Sequence, residues 1–233
     1  MNNQTPERKL IQKTLHNEYF VTKIFDTIQG EGPLTGHPAI FIRLSGCNLQ
    51  CPQCDTEYTT RDRMTIEGII KIVRQSKLRS LPGKKPLIVI TGGEPFRQPI
   101  WPLVDRLLNH YNTVQIETNG TYIQPGQWKM NHLLIVCSPK TPKINPDIAP
   151  AIGAYKYVID RHSIDQDDGL PTAVLGYNYR PARPWNVNTP IYISPADVKD
   201  PTENALNMKA AADICMKYGY ILSLQTHKIV GLE

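Results

Sequence analysis

Three of the chain's five cysteines, Cys47, Cys51 and Cys54, fall in the stretch "GCNLQCPQCDT" (46 to 56). A structural zinc takes four Cys or His ligands, and a thiol–disulfide switch takes two. The Cys51-Pro52-Gln53-Cys54 pair has the spacing of a dithiol, in which one thiolate is stabilised by its neighbour. Such a switch has no need of Cys47, four positions earlier in the same glycine-led loop. A tetrahedral zinc wants a fourth ligand close by, and the nearest downstream histidine is His110. Cys137 and Cys215 stand alone in apolar contexts and read as small buried hydrophobes. Three clustered thiols point to metal or redox chemistry in a reducing compartment more readily than to structural disulfides.

Other polar residues gather where chemistry is expected. "TGGEP" (91 to 95) follows the apolar run "LIVI", and "IETNG" (116 to 120) and "SPK" (138 to 140) end or follow later ones. Paired glycines let the backbone approach a ligand, and exposed carbonyls or Glu94 can accept from an ammonium group. Standing alone, "TGGEP" is equally a tight turn ahead of a proline.

These segments need elements to hold them. Apolar runs at 39 to 44, 87 to 91, 114 to 118, 133 to 137, 155 to 159, 191 to 194 and 221 to 226 read as buried strands. Between them, Ile66, Ile69, Ile70 and Val73 follow helical spacing behind a capping Thr65. Ile100, Leu103, Val104, Leu107, Leu108 and Tyr111 share a second helical face, with Pro99 and Pro102 near its first turn. A third helix is predicted from about Glu203 to Tyr218, with Thr202 as its cap and Gly219 as its stop. Strands alternating with helices imply parallel βα units, hence an α/β sheet or partial barrel whose ligands sit at the strands' carboxyl ends.

With 233 residues and 40% hydrophobic content, the chain suits a single larger α/β domain over 19 to 233, preceded by a polar arm at 1 to 18. Residues 161 to 190, rich in Pro, Gly, Asn and Asp, read as an irregular insertion, either a lid or a surface elaboration. The net charge of +5 comes from scattered Lys and Arg and marks no nucleic-acid partner. No apolar run reaches the roughly 18 residues that span a bilayer, and the polar start lacks a secretory leader. A cytoplasmic protein is expected.

The C-x3-C-x2-C spacing of "CNLQCPQC" resembles the signature of the radical S-adenosylmethionine superfamily, in which three thiolates hold a 4Fe-4S cluster and leave one iron for the cofactor. Within it, the chain is similar to the 7-carboxy-7-deazaguanine synthase family of queuosine precursor biosynthesis. The similarity runs from about Phe25 to the end, through "FDTIQGEG" (25 to 32), "GHPAIFIRLSGCNLQCPQCDT" (36 to 56), "ITGGEP", "IETNG", "SPK" and "LSLQTHK" (222 to 228). The resemblance implies a partial (β/α) barrel with fewer helices than strands. It also implies a lyase that rearranges 6-carboxy-5,6,7,8-tetrahydropterin to 7-carboxy-7-deazaguanine with loss of ammonia. The N-terminal arm and the length of the insertion depart from the family pattern.

By the same resemblance, Cys47, Cys51 and Cys54 hold the cluster and Thr56 holds Mg2+, although a helix N-cap is an equal reading of Thr56. The S-adenosylmethionine contacts correspond to Gln53, Cys54, Asp55, Gly93, Glu117, Ser138, Pro139, Lys140, Ser194, Pro195, Ala196 and Asp197. The pterin contacts correspond to Ile28, Gln29, Gly30, Glu31, Arg43, Thr91, His227 and the terminal Glu233, with Arg43 suited to a carboxylate. A homodimer and a flavodoxin- or ferredoxin-type electron donor are the family expectation. Two other classes share part of the pattern. An activating enzyme that installs a glycyl radical on a protein would share the cluster and "TGGEP"; a non-enzymatic iron–sulfur or dithiol redox module would share only the cysteines.

Overall fold

The computed structural model of the chain describes residues 2–11, 18–80, 83, 85–111, 113–126 and 130–232. The strands are β1 (Glu18–Ile28), β2 (Pro38–Leu44), β3 (Asp62–Thr65), β4 (Leu87–Gly92), β5 (Val114–Thr118), β6 (Leu133–Cys137), β7 (Ala154–Ile159), β8 (Ile191–Pro195) and β9 (Ile221–Leu222). The helices are α1 (Ile66–Gln75), α2 (Trp101–Leu108), α3 (Pro201–Tyr218) and α4 (Thr226–Ile229). Among the described residues the nine strands make one sheet, ordered β3-β1-β2-β4-β5-β6-β7-β8-β9. From β2 onward neighbours are parallel, and β1 and β3 are antiparallel at one end. This is the expected partial barrel, open and poorer in helices than in strands. Parallel strands bury both faces, which is why Ile40, Ile42, Ile88, Ile90, Val114, Ile116 and Ile193 on one face and Ala39 and Val89 on the other are fully buried. No described helix is long and apolar enough to cross a membrane.

Most expected elements form within a residue or two. Thr65 caps α1, its hydroxyl oxygen accepting from the Gly68 N–H at 3.1 Å, and Ile66, Ile69, Ile70 and Val73 are buried. Cys137 and Cys215 are buried in β6 and α3. Two expectations need correction, and one strand was not among those expected. The cap of α3 is Asp200, whose carboxylate accepts from Thr202 and Glu203 N–H at 2.8 and 3.1 Å. Pro201 carries no N–H and takes the first helical position, which moves the cap two residues ahead of Thr202. The strand expected over 221 to 226 ends at Leu222, and Thr226 opens α4. The longest strand, β1, did not stand out as an apolar run, because Glu18, Lys23 and Asp26 interrupt it. Residues 161–190 contain only two isolated bridges, Ile164 to Pro171 and Val174 to Tyr177. Arg183 ties that stretch together by donating to Asp168 at 2.7 Å.

Candidate active site

The cysteine loop leaves the carboxyl end of β2 and is fixed by backbone bonds from several elements. Gly46 N–H donates to Tyr58 O (2.7 Å), Gly93 N–H to Leu44 O (3.2 Å), Glu94 N–H to Gly46 O (3.0 Å) and Gln53 N–H to Leu175 O (3.1 Å). The "TGGEP" turn therefore docks directly on the cysteine loop. Gly93 permits this, since a Cβ there would lie 2.8 Å from Cys47 Cβ. Glu94 turns inward. Its carboxylate accepts from the Thr118 hydroxyl (2.8 Å) and the Asn119 (2.7 Å) and Phe96 (3.0 Å) N–H groups, so it braces two ligand loops and is buried away from any ammonium ligand. Burial raises it to about 7.

All three loop cysteines are free; Cys47 and Cys51 are buried and Cys54 partly so. Burial pushes the Cys47 thiol up to about 12 and Cys51 up to about 11, and raises Cys54 as well. A working dithiol needs the opposite, a thiolate favoured near neutral pH, so the environment counts against a dithiol switch. Coordinated thiols deprotonate outright, and a soft all-thiolate set suits iron–sulfur ligation. Among the described residues no group of three or more His, Cys, Asp or Glu side chains is disposed to hold a single metal ion. The fit to a cluster rests instead on donor type and on the cavity that all three thiols line.

That cavity, about 890 Å³, lies at the carboxyl ends of the parallel strands. The three cysteines, Gln53, Asp55 and Thr56 form one wall; Thr91, Gly93 and Glu117 form the floor; Ser138, Lys140, Ser194, Pro195 and Asp197 form the far side, and Glu31 joins them. Thr56 caps nothing, because no helix begins there. Leu175 and Gly176 of the long insertion also line the cavity, and the Tyr177 hydroxyl accepts from Gln50 N–H at 3.3 Å. The insertion is thus part of the site wall.

Seven expected residues, Ile28, Gln29, Gly30, Arg43, Pro139, Ala196 and His227, lie just behind this lining or to its side. Gln29 donates to Glu117 Oε1 at 3.0 Å and accepts from the Glu31 backbone N–H at 3.1 Å, so it orients the Glu117 carboxylate and fixes the Glu31 backbone. The His227 ring fills the space over Gly30, and burial lowers its pKa, favouring the neutral imidazole. Arg43 stacks 5.1 Å from the Phe25 ring centroid. Pro139 and Ala196 are buried beside lining residues. Ile28 ends β1 and is half-buried outside the lining. Glu233 lies outside the described residues.

The sequence reading missed Lys156 of β7, which lines the cavity and pairs with Glu31. Burial alone would raise the Glu31 carboxyl, but the Lys156 ammonium overcomes this and holds it below the ordinary carboxylate range. Burial would lower Lys156, and Glu31 and Glu117 reverse that. For Lys140, burial and the nearby Lys156 outweigh the opposing pull of Cys51, Cys137 and Glu31 and depress it. The one available signal was a lone lysine inside the buried run "YKYVI". Lys228, also unassigned by the sequence reading, donates to Asp55 (3.1 Å) and Asp197 (3.3 Å) across the rim. The cavity offers soft thiols at one side and a hydrogen-bonded carboxylate–ammonium array at the other. It can hold a metal-bound cofactor and a small polar substrate together.

No family model matches the chain. Over 91% of its length it is 39% identical to a 7-carboxy-7-deazaguanine synthase of Rickettsia prowazekii, covering 88% of that protein. It is 36% identical to one of Rhodospirillum rubrum, covering 91% of the chain and 92% of the relative. The crystal structure of QueE from Escherichia coli superimposes with a TM-score of 0.65 at 22% identity, covering 90% of this chain and 94% of that one. That likeness shows a shared fold.

Proposed function

The chain belongs to the 7-carboxy-7-deazaguanine synthase family, and from that premise we propose that it converts 6-carboxy-5,6,7,8-tetrahydropterin to 7-carboxy-7-deazaguanine and ammonia. This is a carbon–nitrogen lyase step of queuosine biosynthesis, begun by hydrogen abstraction at the substrate's C6 and completed by ring contraction. The observation that carries the reading is one cavity lined by all three loop thiols, the Gly93 turn, and the Glu31–Lys156 and Glu117 array.

When bound, a 4Fe-4S cluster with S-adenosylmethionine on its open iron supplies a 5′-deoxyadenosyl radical able to take an unactivated hydrogen. Cys47, Cys51 and Cys54 would hold that cluster. The backbone at Gly93, with Gln53, Asp55, Ser138, Lys140, Ser194 and Asp197, orients the cofactor. Glu31 and Glu117 present acceptors to the pyrimidine edge of the pterin, and Gln29 supports that edge through its bond to Glu117. Thr91 donates to Glu117 Oε2 at 3.1 Å and fixes that carboxylate's rotamer. Lys156 keeps Glu31 ionised, and Arg43 and Lys140 supply cations for the substrate carboxylate. Thr56 offers a hard oxygen for Mg2+ alongside substrate oxygens and water. The insertion and Lys228 close the rim and keep water from the reacting carbon. A homodimer and a flavodoxin- or ferredoxin-type donor complete the reading.

The test is anaerobic reconstitution with the carboxytetrahydropterin, reductant, Mg2+ and S-adenosylmethionine, with products identified by mass spectrometry. The deazapurine is expected. Deoxyadenosine alone would defeat the substrate assignment, and full cluster content with normal turnover in Cys47→Ala would defeat the whole reading.

A further inference from the structure

The N-terminal segment is bound along much of residues 2–11 to the cysteine loop. Asn2 donates from its N–H to Pro52 O (2.9 Å) and from Nδ2 to Cys51 O (3.2 Å). Gln4 holds the chain after the cysteines from two sides, Nε2 donating to Thr56 O (2.8 Å) and Oε1 accepting from Tyr58 N–H (2.8 Å). Glu7 N–H donates to Cys47 O at 2.6 Å. All of these bonds meet backbone groups of residues 47–58, and Asn2 itself lines the cavity.

Beneath the loop lies Arg97, its side chain 3% exposed. Its guanidinium sits directly under Gly46, where a Cβ would overlap it; the left-handed φ of +82° there also favours glycine. Nη2 donates to Glu7 Oε2 (2.9 Å) and Lys9 O (3.3 Å), and the Arg97 carbonyl accepts from Ile11 N–H (2.8 Å). A buried guanidinium left without a carboxylate is costly. Here the carboxylate comes from the N-terminal segment, and Arg61 holds the other oxygen of the same Glu7.

We infer that residues 2–11 are a strap that holds the cysteine loop in its ligand-presenting shape, with Glu7 on Arg97 as its anchor. Both are positioning residues, acting through the loop backbone without touching substrate. The inference rests on the proposed function only for what the loop carries, an oxygen-sensitive iron–sulfur group that the strap covers from behind.

The test compares the full chain, a chain lacking residues 2–9, Glu7→Gln and Glu7→Asp. Hydrogen exchange of amides 47–58 is followed in the metal-free proteins, and the rate of cluster bleaching in air after anaerobic reconstitution. Glu7→Gln should speed both about tenfold, since it weakens a charge-assisted bond to a buried cation. The truncation should exceed this, and Glu7→Asp should restore most of the protection. Wild-type exchange and bleaching in Glu7→Gln and in the truncation would overturn the inference, as would faster exchange spread over the whole sheet. A full chain that takes up no cluster would fail the proposed function, while exchange in the metal-free chain still decides the strap.

Discussion

Gly93→Ala isolates the docking of "TGGEP" on the cysteine loop. The added carbon would lie 2.5 Å from Gly46 C and 2.8 Å from Cys47 Cβ, against the 3.0 Å that such atoms keep at closest and the 3.4 Å of ordinary contact. The difference from 2.5 Å sets a minimum shift of about 0.5 to 0.9 Å, and Gly46 O, which lies nearer still, demands more. The φ of Gly93 lies outside the left-handed region, so the alanine backbone is allowed and the effect is steric. The obstacle is backbone and a Cβ, neither of which can swing aside, so the cysteine loop must move. A displacement near 1 Å at a reacting centre costs up to about 100-fold in rate. Overpacking of this kind costs about 1–3 kcal/mol of stability. Anaerobic turnover by the reconstituted variant should therefore fall about 10- to 100-fold, with reduced cluster content. Gly68→Ala is the control. Its Cβ would meet Thr65 Oγ1 at 3.4 Å within α1, and it should stabilise by about 0.5–1 kcal/mol without loss of activity. Wild-type turnover and cluster content in Gly93→Ala would refute the claim that this contact fixes the loop.

Lys156→Met removes the cation paired with the largely buried Glu31 and should lower unfolding free energy by on the order of 3 kcal/mol in urea titrations; an unchanged midpoint would show the pair to be dispensable. Glu94, raised to about 7 from 4.5 by burial, binds its proton more tightly when folded. Its contribution is therefore full below about pH 4.5 and lost as pH rises through about 7, by a ceiling of roughly 3 kcal/mol. Urea denaturation of wild type and Glu94→Gln across that window should show the loss in wild type alone, and parallel curves would contradict it. Thr56→Val should raise the Mg2+ concentration for half-maximal turnover at least about tenfold; an unaltered Mg2+ titration would remove Thr56 from the metal site.

The legible features were those whose chemistry is local. Three cysteines within eight positions, a glycine pair after a strand and apolar runs of strand length all survive translation into space. Lys156 was hidden because a lysine in a strand reads as a solvated edge; only the partial barrel turns that position toward Glu31. Asp200 and Thr202 are both good caps, and Pro201 between them decides the matter. Ser223 to Gln225 look like more strand, yet tertiary contacts recruit them elsewhere, since Gly32 N–H donates to Ser223 Oγ at 2.8 Å. The strap escaped notice because most of its bonds reach backbone groups, which every sequence offers, and because nothing local links Glu7 to Arg97 across 90 positions. Gln29 was found by resemblance, but its role as a brace on Glu117 and Glu31 required coordinates.

The open sheet leaves β1 and β9 unpaired with each other, and the gap is bridged by a few bonds between residues near 30 and 226. Thr226 N–H and Oγ1 both donate to Gly30 O, at 3.1 and 3.2 Å, across 196 positions of sequence. Strands β5 to β9 each pair with the strand just before them in sequence, so those contacts form at modest chain separation. Closing the seam demands the longest loop closure in the sheet's assembly. Loop-closure entropy therefore weighs most heavily on this one seam of the cavity wall, where a few hydrogen bonds stand in for a strand pairing.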